Sequence, residues 1–153
     1  MSIPLYRALL QSGGAFTDQI GALTELARRM WLSVPILESG TYTPSLTEVA
    51  NVADSTAYVC QYLRVGNTVQ VSGQVAIDPT LGATLTQLGI SLPVPSALTQ
   101  AYQAGGTAAC AAVAGYVAAI SGDATNDRAE LAFTTGADVA NRTWAFTCSY
   151  LVQ

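Results

Sequence analysis

Residues 41–75 read TYTPSLTEVANVADSTAYVCQYLRVGNTVQVSGQV. Within them Tyr58, Cys60 and Tyr62 alternate with Val59, Gln61 and Leu63. Beyond Gly66-Asn67, Val69, Val71, Val75 and then Ile77 keep one parity, and Ser72, Gln74 and Ala76 keep the other. A period of two puts successive side chains on opposite faces, so both runs read as β-strands with one face buried. Gly and Asn tolerate positive φ, so Gly66-Asn67 reads as the turn of a hairpin that joins them. The stretch therefore holds two or three antiparallel strands.

The same reading extends to the rest of the chain. About seven strands are expected, near residues 41–50, 56–65, 68–77, 86–92, 107–120, 128–135 and 142–152. Turn signals fall between them at Ala53-Asp54-Ser55, Gly66-Asn67, Asp78-Pro79, Pro93-Val94-Pro95, Gly122-Asp123 and Ala140-Asn141. In the last strand Trp144, Phe146, Cys148 and Tyr150 share one face, which makes them core candidates, while Thr143, Thr147 and Ser149 face the other way. Residues 107–120, TAACAAVAGYVAAI, are ambiguous. Alanine favours helix; Gly105-Gly106, Gly115, the valines and the SGDATND turn favour a strand, which is the reading adopted. Short strands with no amphipathic helix between them predict a mainly β fold, an antiparallel β-sandwich of jelly-roll type.

The first 39 residues have a different character. Residues 1–14 read as an arm ending at Ser12-Gly13-Gly14, and residues 17–32 as a short helix. Thr17 or Asp18 caps its start, and Arg28 and Arg29 suit the negative end of its dipole. Phe16, Ile20, Leu23, Ala27 and Met30 are spaced 4, 3, 4 and 3 apart, a heptad seam of about two repeats. The seam serves either to pack the helix on its own domain or to anchor and oligomerise the chain. Pro35 stops the helix, and Leu37–Gly40 read as a link. The expected division is 1–39, arm and helix, and 40–153, β domain.

Composition narrows the chemistry. The 153 residues include no histidine, and all six basic residues are arginine. Missing histidine removes the commonest general base and metal ligand; missing lysine removes Schiff-base chemistry and the P-loop cation. Six scattered arginines and a net charge of −4 argue against nucleic-acid binding. Charged residues make up 10%, against about 25% in an ordinary domain, so a surface with few charges favours association. No apolar run reaches membrane-spanning length, and the N-terminus lacks a signal-peptide pattern, so cytoplasmic assembly is expected.

Few residues qualify as a site. Cys60, Cys110 and Cys148 have no metal-binding spacing and read as buried thiols, with one disulfide as the alternative. Asp123, Asn126 and Asp127 have oxygen ligands for calcium, but not in EF-hand order, and Asx residues also close turns on their own backbone. Glu25, Glu38, Glu48 and Glu130 are scattered, whereas a glycosidase needs two carboxylates across one cleft. Tyr42, Tyr58, Tyr62, Tyr102, Tyr116 and Trp144 are either core or a sugar-stacking surface. No cofactor, metal or catalytic residue is expected.

The wording GTYTP at 40–44, Asn51 and YVCQYLRVGNTVQVSG at 58–73, with SGDATNDRAELAF at 121–133, resembles a β-rich domain of tailed-bacteriophage structural proteins. That domain occurs at the ends of tail-fibre-like chains and in small stand-alone phage proteins. The likeness runs roughly from Gly40 to Tyr150 and leaves residues 1–39 uncovered. It implies a non-enzymatic virion protein and a homotrimer. The short N-terminal region, whose helix spans about 24 Å, suits an arm clamping a shell protein. The expectation is a capsid decoration protein in the virion, bound to the major capsid protein or other virion proteins through Phe16, Ile20, Leu23, Ala27 and Met30, with no nucleic acid and no membrane as partner. The alternative is the receptor-binding tip of a tail or head fibre, contacting a host-surface glycan.

Overall fold

A computed structural model of the chain describes residues 21, 23–26 and 36–153. The chain divides into two units, Met1–Pro35 and Ile36–Gln153. In the first, Gly21 and residues 23–26 are helical, within the helix expected over 17–32. Leu23 is exposed; Phe16, Ile20, Ala27 and Met30 lie outside the described residues.

The second unit is mainly β. Its strands are β1 (Leu37–Tyr42), β2 (Leu46–Ala50), β3 (Val52–Ala57), β4 (Cys60–Val65), β5 (Thr68–Pro79), β6 (Leu85–Ser91), β7 (Ala104–Cys110), β8 (Val117–Asp123), β9 (Arg128–Thr134) and β10 (Arg142–Leu151). All pairings are antiparallel, in the order β1-β4-β5-β10-β7-β8-β9-β6-β2, with β3 also on β5. The strands thus form one continuous sheet curled into a half-barrel, where two sheets of a sandwich were expected. A strand buried on one face has the same period of two in either architecture, so periodicity does not distinguish them.

Two short links draw the ends of the sheet together. β1 and β2 stand at opposite ends of the order, yet only Thr43, Pro44 and Ser45 separate them. Three residues reach at most about 11 Å. Pro44 is buried, and Ser45 and Ser91 exchange hydrogen bonds of 2.9 and 3.0 Å. The second link is Asn51, which turns β2 into β3 at φ 55°, a left-handed conformation that Asn adopts more readily than most residues. Its amide donates to the Leu81 carbonyl and the buried Thr86 hydroxyl and accepts the Leu81 N–H, at 2.7–2.9 Å. The turn expected at Ala53–Ser55 is therefore displaced to Asn51, and those three residues belong to β3.

The hairpin of β4 and β5 turns at Gly66-Asn67 as expected, with Gly66 at φ 60°. β3 and β4 lie end to end along β5. Ala57 pairs with Val75 and Gln61 with Ser72, so three residues oppose two and the strand bulges. Tyr58 and Val59 are both exposed there, and the period of two breaks. Cys60 turns inward over Gly73, where a Cβ would stand 2.1 Å from its sulfur. Leu37–Gly40, expected as a link, form the start of β1. Residues 107–120 are two strands rather than one. β7 ends at Cys110 and β8 begins at Val117; Gly115, at φ 78°, makes the reversal between them.

The core fills the concave face of the sheet. Val69, Val71, Val75 and Ile77 of β5 are buried with Trp144, Phe146, Cys148 and Tyr150 of β10, on the parities the sequence predicts. At one end Trp144 packs against Phe133 and Tyr116, with ring centroids 4.2 and 4.9 Å away. At the other end the Pro-containing loop 92–100 lies across Tyr150, whose hydroxyl donates to the Val94 carbonyl (2.8 Å) and accepts its N–H (3.1 Å). Buried Ser96 bonds the Leu151 carbonyl.

Candidate functional site

The acidic turn is built for structure. Asp123 accepts the Thr125 and Asn126 N–H groups, the Asn126 amide and the Arg128 guanidinium, the last two at 2.7 and 2.8 Å. The Asn126 amide, with help from Arg128, holds its carboxyl below the usual range. Asp127, at φ 49°, accepts the Ser96 and Leu98 N–H groups at 3.1 and 2.9 Å. Burial pushes this carboxyl up, but the N–H groups of Leu98, Ala97 and Ser96 outweigh it, and it too lies low. Both carboxylates are therefore occupied by the turn and by the loop that it anchors.

The other candidates are dispersed. Glu38 on β1 accepts the Tyr62 hydroxyl (2.8 Å), Glu130 on β9 accepts the Gln87 amide, and Glu48 lies on β2. Among the described residues, no three of His, Cys, Asp and Glu are gathered, and no buried side-chain nitrogen or oxygen lacks a partner. Cys60, Cys110 and Cys148 are free and buried. Burial, with the neighbouring Cys60, pushes the Cys148 thiol up to about 12, so it stays a protonated, unreactive thiol at neutral pH. Of the aromatic set, Trp144 and Tyr116 belong to the core end, and Tyr42 and Tyr62 pack edge to face at 6.3 Å. Tyr58 and Tyr102 are exposed, on the β3–β4 bulge and on the 3-10 turn Ala101–Gln103.

What the strands do assemble is a surface, and its signal is the complement of the core pattern. Register carries one row across six strands: Thr41, Gln61, Ser72, Thr147, Thr107 and Ala119. The next row is Ser39, Leu63, Gln70, Ser149, Gly105 and Ser121. All twelve are exposed and none is charged. Small residues leave a shallow groove of about 760 Å³ over Ala109, Ala119, Ala145 and Thr147, with exposed Val117 beside it. A face of hydroxyls, amides and methyls desolvates against protein at less cost than a charged one, provided its polar groups find hydrogen-bond partners.

Comparison with family models, curated proteins and solved structures returns no match. Among the described residues no helix is long and apolar enough to cross a membrane.

Proposed function

We propose that the chain is a non-enzymatic structural component of a bacteriophage virion, a trimeric decoration protein on the head surface that attaches through its N-terminal region. The observation that carries this reading is the uncharged outer face of the sheet, two rows deep across six strands. A rigid β scaffold that offers such a face is suited to lasting protein contact. The polar groups that might have been chemical are committed to turns and strand ends, as Asp123 and Asp127 illustrate. The sequence resemblance to phage structural proteins supports the virion setting.

A fibre-tip role is the second reading. It rests on Tyr102, 84% exposed, beside a groove of about 420 Å³ that also includes Gln103 and Ser149. Quantitative mass spectrometry of purified particles separates the two. Hundreds of copies per particle mark a shell component, a few to dozens mark the tail, and absence from particles overturns both.

A further inference from the structure

We propose that the free edge of β1 is a self-association site, where it pairs antiparallel with β1 of a second copy across a two-fold axis centred on Ser39. Among the described residues β1 is bonded on one side only, to β4. The Gly66 N–H donates to the Ile36 carbonyl at 2.7 Å. Antiparallel bonding alternates, so Ile36, Glu38, Gly40 and Tyr42 bond toward β4. The N–H and C=O groups of Leu37, Ser39 and Thr41 therefore point outward, and among the described residues no strand pairs with them.

Natural sheets blunt such an edge with lysine, proline, a bulge or a short strand. The opposite edge has three of these devices: β2 is five residues long, follows Pro44 and is bulged between Glu48 and Ala50. β1, LESGTY, has no lysine, proline or bulge over its six residues, and its one charged residue, Glu38, is held by the Tyr62 hydroxyl. Its outer face also carries exposed aliphatics: Leu37, Leu63 and Val65 are 75%, 42% and 46% accessible, and Leu37 sits directly opposite Val65.

Charge and register favour a second copy as the occupant. With Ser39 opposite Ser39 of the second copy, each outward-bonding residue meets another: Leu37 meets Thr41, and Thr41 meets Leu37. The one charged residue, Glu38, falls opposite Gly40 of the second copy, which has no side chain, and its carboxylate is already held by Tyr62. Like charges are kept apart, and the aliphatic corners of both copies are brought onto one continuous sheet. A two-fold contact of this kind is isologous and closes on itself. It joins two chains, or two trimers, without extending into fibres at this edge. This pairing does not require that the chain sit on a virion.

Sedimentation of the full-length chain tests it. Ser39→Lys puts like charges directly opposite each other in this register alone, which is destabilising. It is expected to halve the assembly mass and raise the dissociation constant about tenfold or more. Ser39→Glu is expected to do the same, and an equimolar mixture of the two variants to restore the wild-type mass. Leu85→Lys, at another exposed aliphatic, leaves the mass unchanged. In Ser39→Cys, oxidation is expected to yield a covalent dimer, since the buried native thiols cannot compete. The proposal is overturned if the charged variants keep the wild-type mass, which would place the association elsewhere. It is equally overturned if their mixture fails to recover that mass, or if the wild-type chain does not pair, which would leave the edge to a strand from another protein.

Discussion

Trp144 shows how far a residue can be read from its neighbours. Its parity with Phe146, Cys148 and Tyr150 places it inward, and it is 1% exposed against Phe133 and Tyr116. Trp144→Ala is expected to cost about 3–5 kcal/mol, through lost burial and a residual cavity. Set against a total stability of about 5–15 kcal/mol, that is a large fall in thermal midpoint. Glu130→Gln, measured alongside, should barely move the melt, because Glu130 is partly exposed and its carboxylate accepts a hydrogen bond from the Gln87 amide, which a glutamine oxygen can also accept. A tryptophan variant that melts like the wild type would mean the ring does not hold that end of the core. Residue-level reading fails where the backbone breaks period. Tyr58 shares the parity of Cys60 but lies outside, because the bulge opposite Gly73 inserts a residue between them. No side-chain pattern announces that, although Gly73 beneath Cys60 is the one local hint.

At the scale of elements, the hairpin β4–β5, strands β9 and β10 and the turn at 123–127 were legible because periodicity and turn chemistry agree there. The split of residues 107–120 was not, since alanine has no strong preference to mark where a strand stops, and only Gly115 records the reversal. The use of Asp127 was also hidden. Its role depends on loop 92–100, some thirty residues away, whose N–H groups at Ser96 and Leu98 it accepts. That contact makes a pH prediction. The native carboxyl titrates below its ordinary value, so the unfolded chain binds the proton first as pH falls. The stabilisation is present above about pH 4, the ordinary carboxylate range, and is lost as pH falls through the lower native value. Asp127→Asn is expected to melt below the wild type at pH 7, with the gap closing toward pH 2. A gap constant from pH 7 to pH 2 would mean that the charge does not hold the loop.

The architecture of the whole β unit was legible only as a class. One-sided strands predict antiparallel sheet, but the path β1-β4-β5-β10-β7-β8-β9-β6-β2 depends on long-range pairings that local patterns do not encode. Two consequences belong to this scale. The first is alkaline lability. Burial pushes the Tyr150 hydroxyl and the Cys148 thiol each up to about 12, so the unfolded chain releases these protons at lower pH than the native one. Stability is fully present below the ordinary cysteine value of about 8.5 and falls as pH rises toward 12. Cys148→Ala should flatten that fall between pH 9 and pH 11 in melts followed by circular dichroism, and a slope identical to the wild type would count against a buried, coupled thiol.

The second consequence concerns where the β unit begins. Among the described residues the buried cluster runs from Cys60 to Tyr150, and Met1–Pro35 form a separate unit. β1, however, is part of the sheet: Leu37–Tyr42 pair with Cys60–Val65, a Cβ at Gly40 would stand 3.0 Å from the Tyr62 ring, and Tyr42 packs against the core cluster. A chain starting at Ile36 is therefore expected to keep the strand-rich circular dichroism spectrum and a cooperative melt. A chain starting at Gly40 loses the Leu37–Val65, Glu38–Arg64 and Ser39–Leu63 pairings and the Glu38–Tyr62 hydrogen bond, and uncovers the β4 edge beside Leu63 and Val65. It should melt lower and aggregate more readily, since an exposed apolar edge templates pairing. Equal melts for the two truncations would show that β1 is an appendage to the half-barrel, and unfolding of the longer one would show that residues 1–35 complete its core.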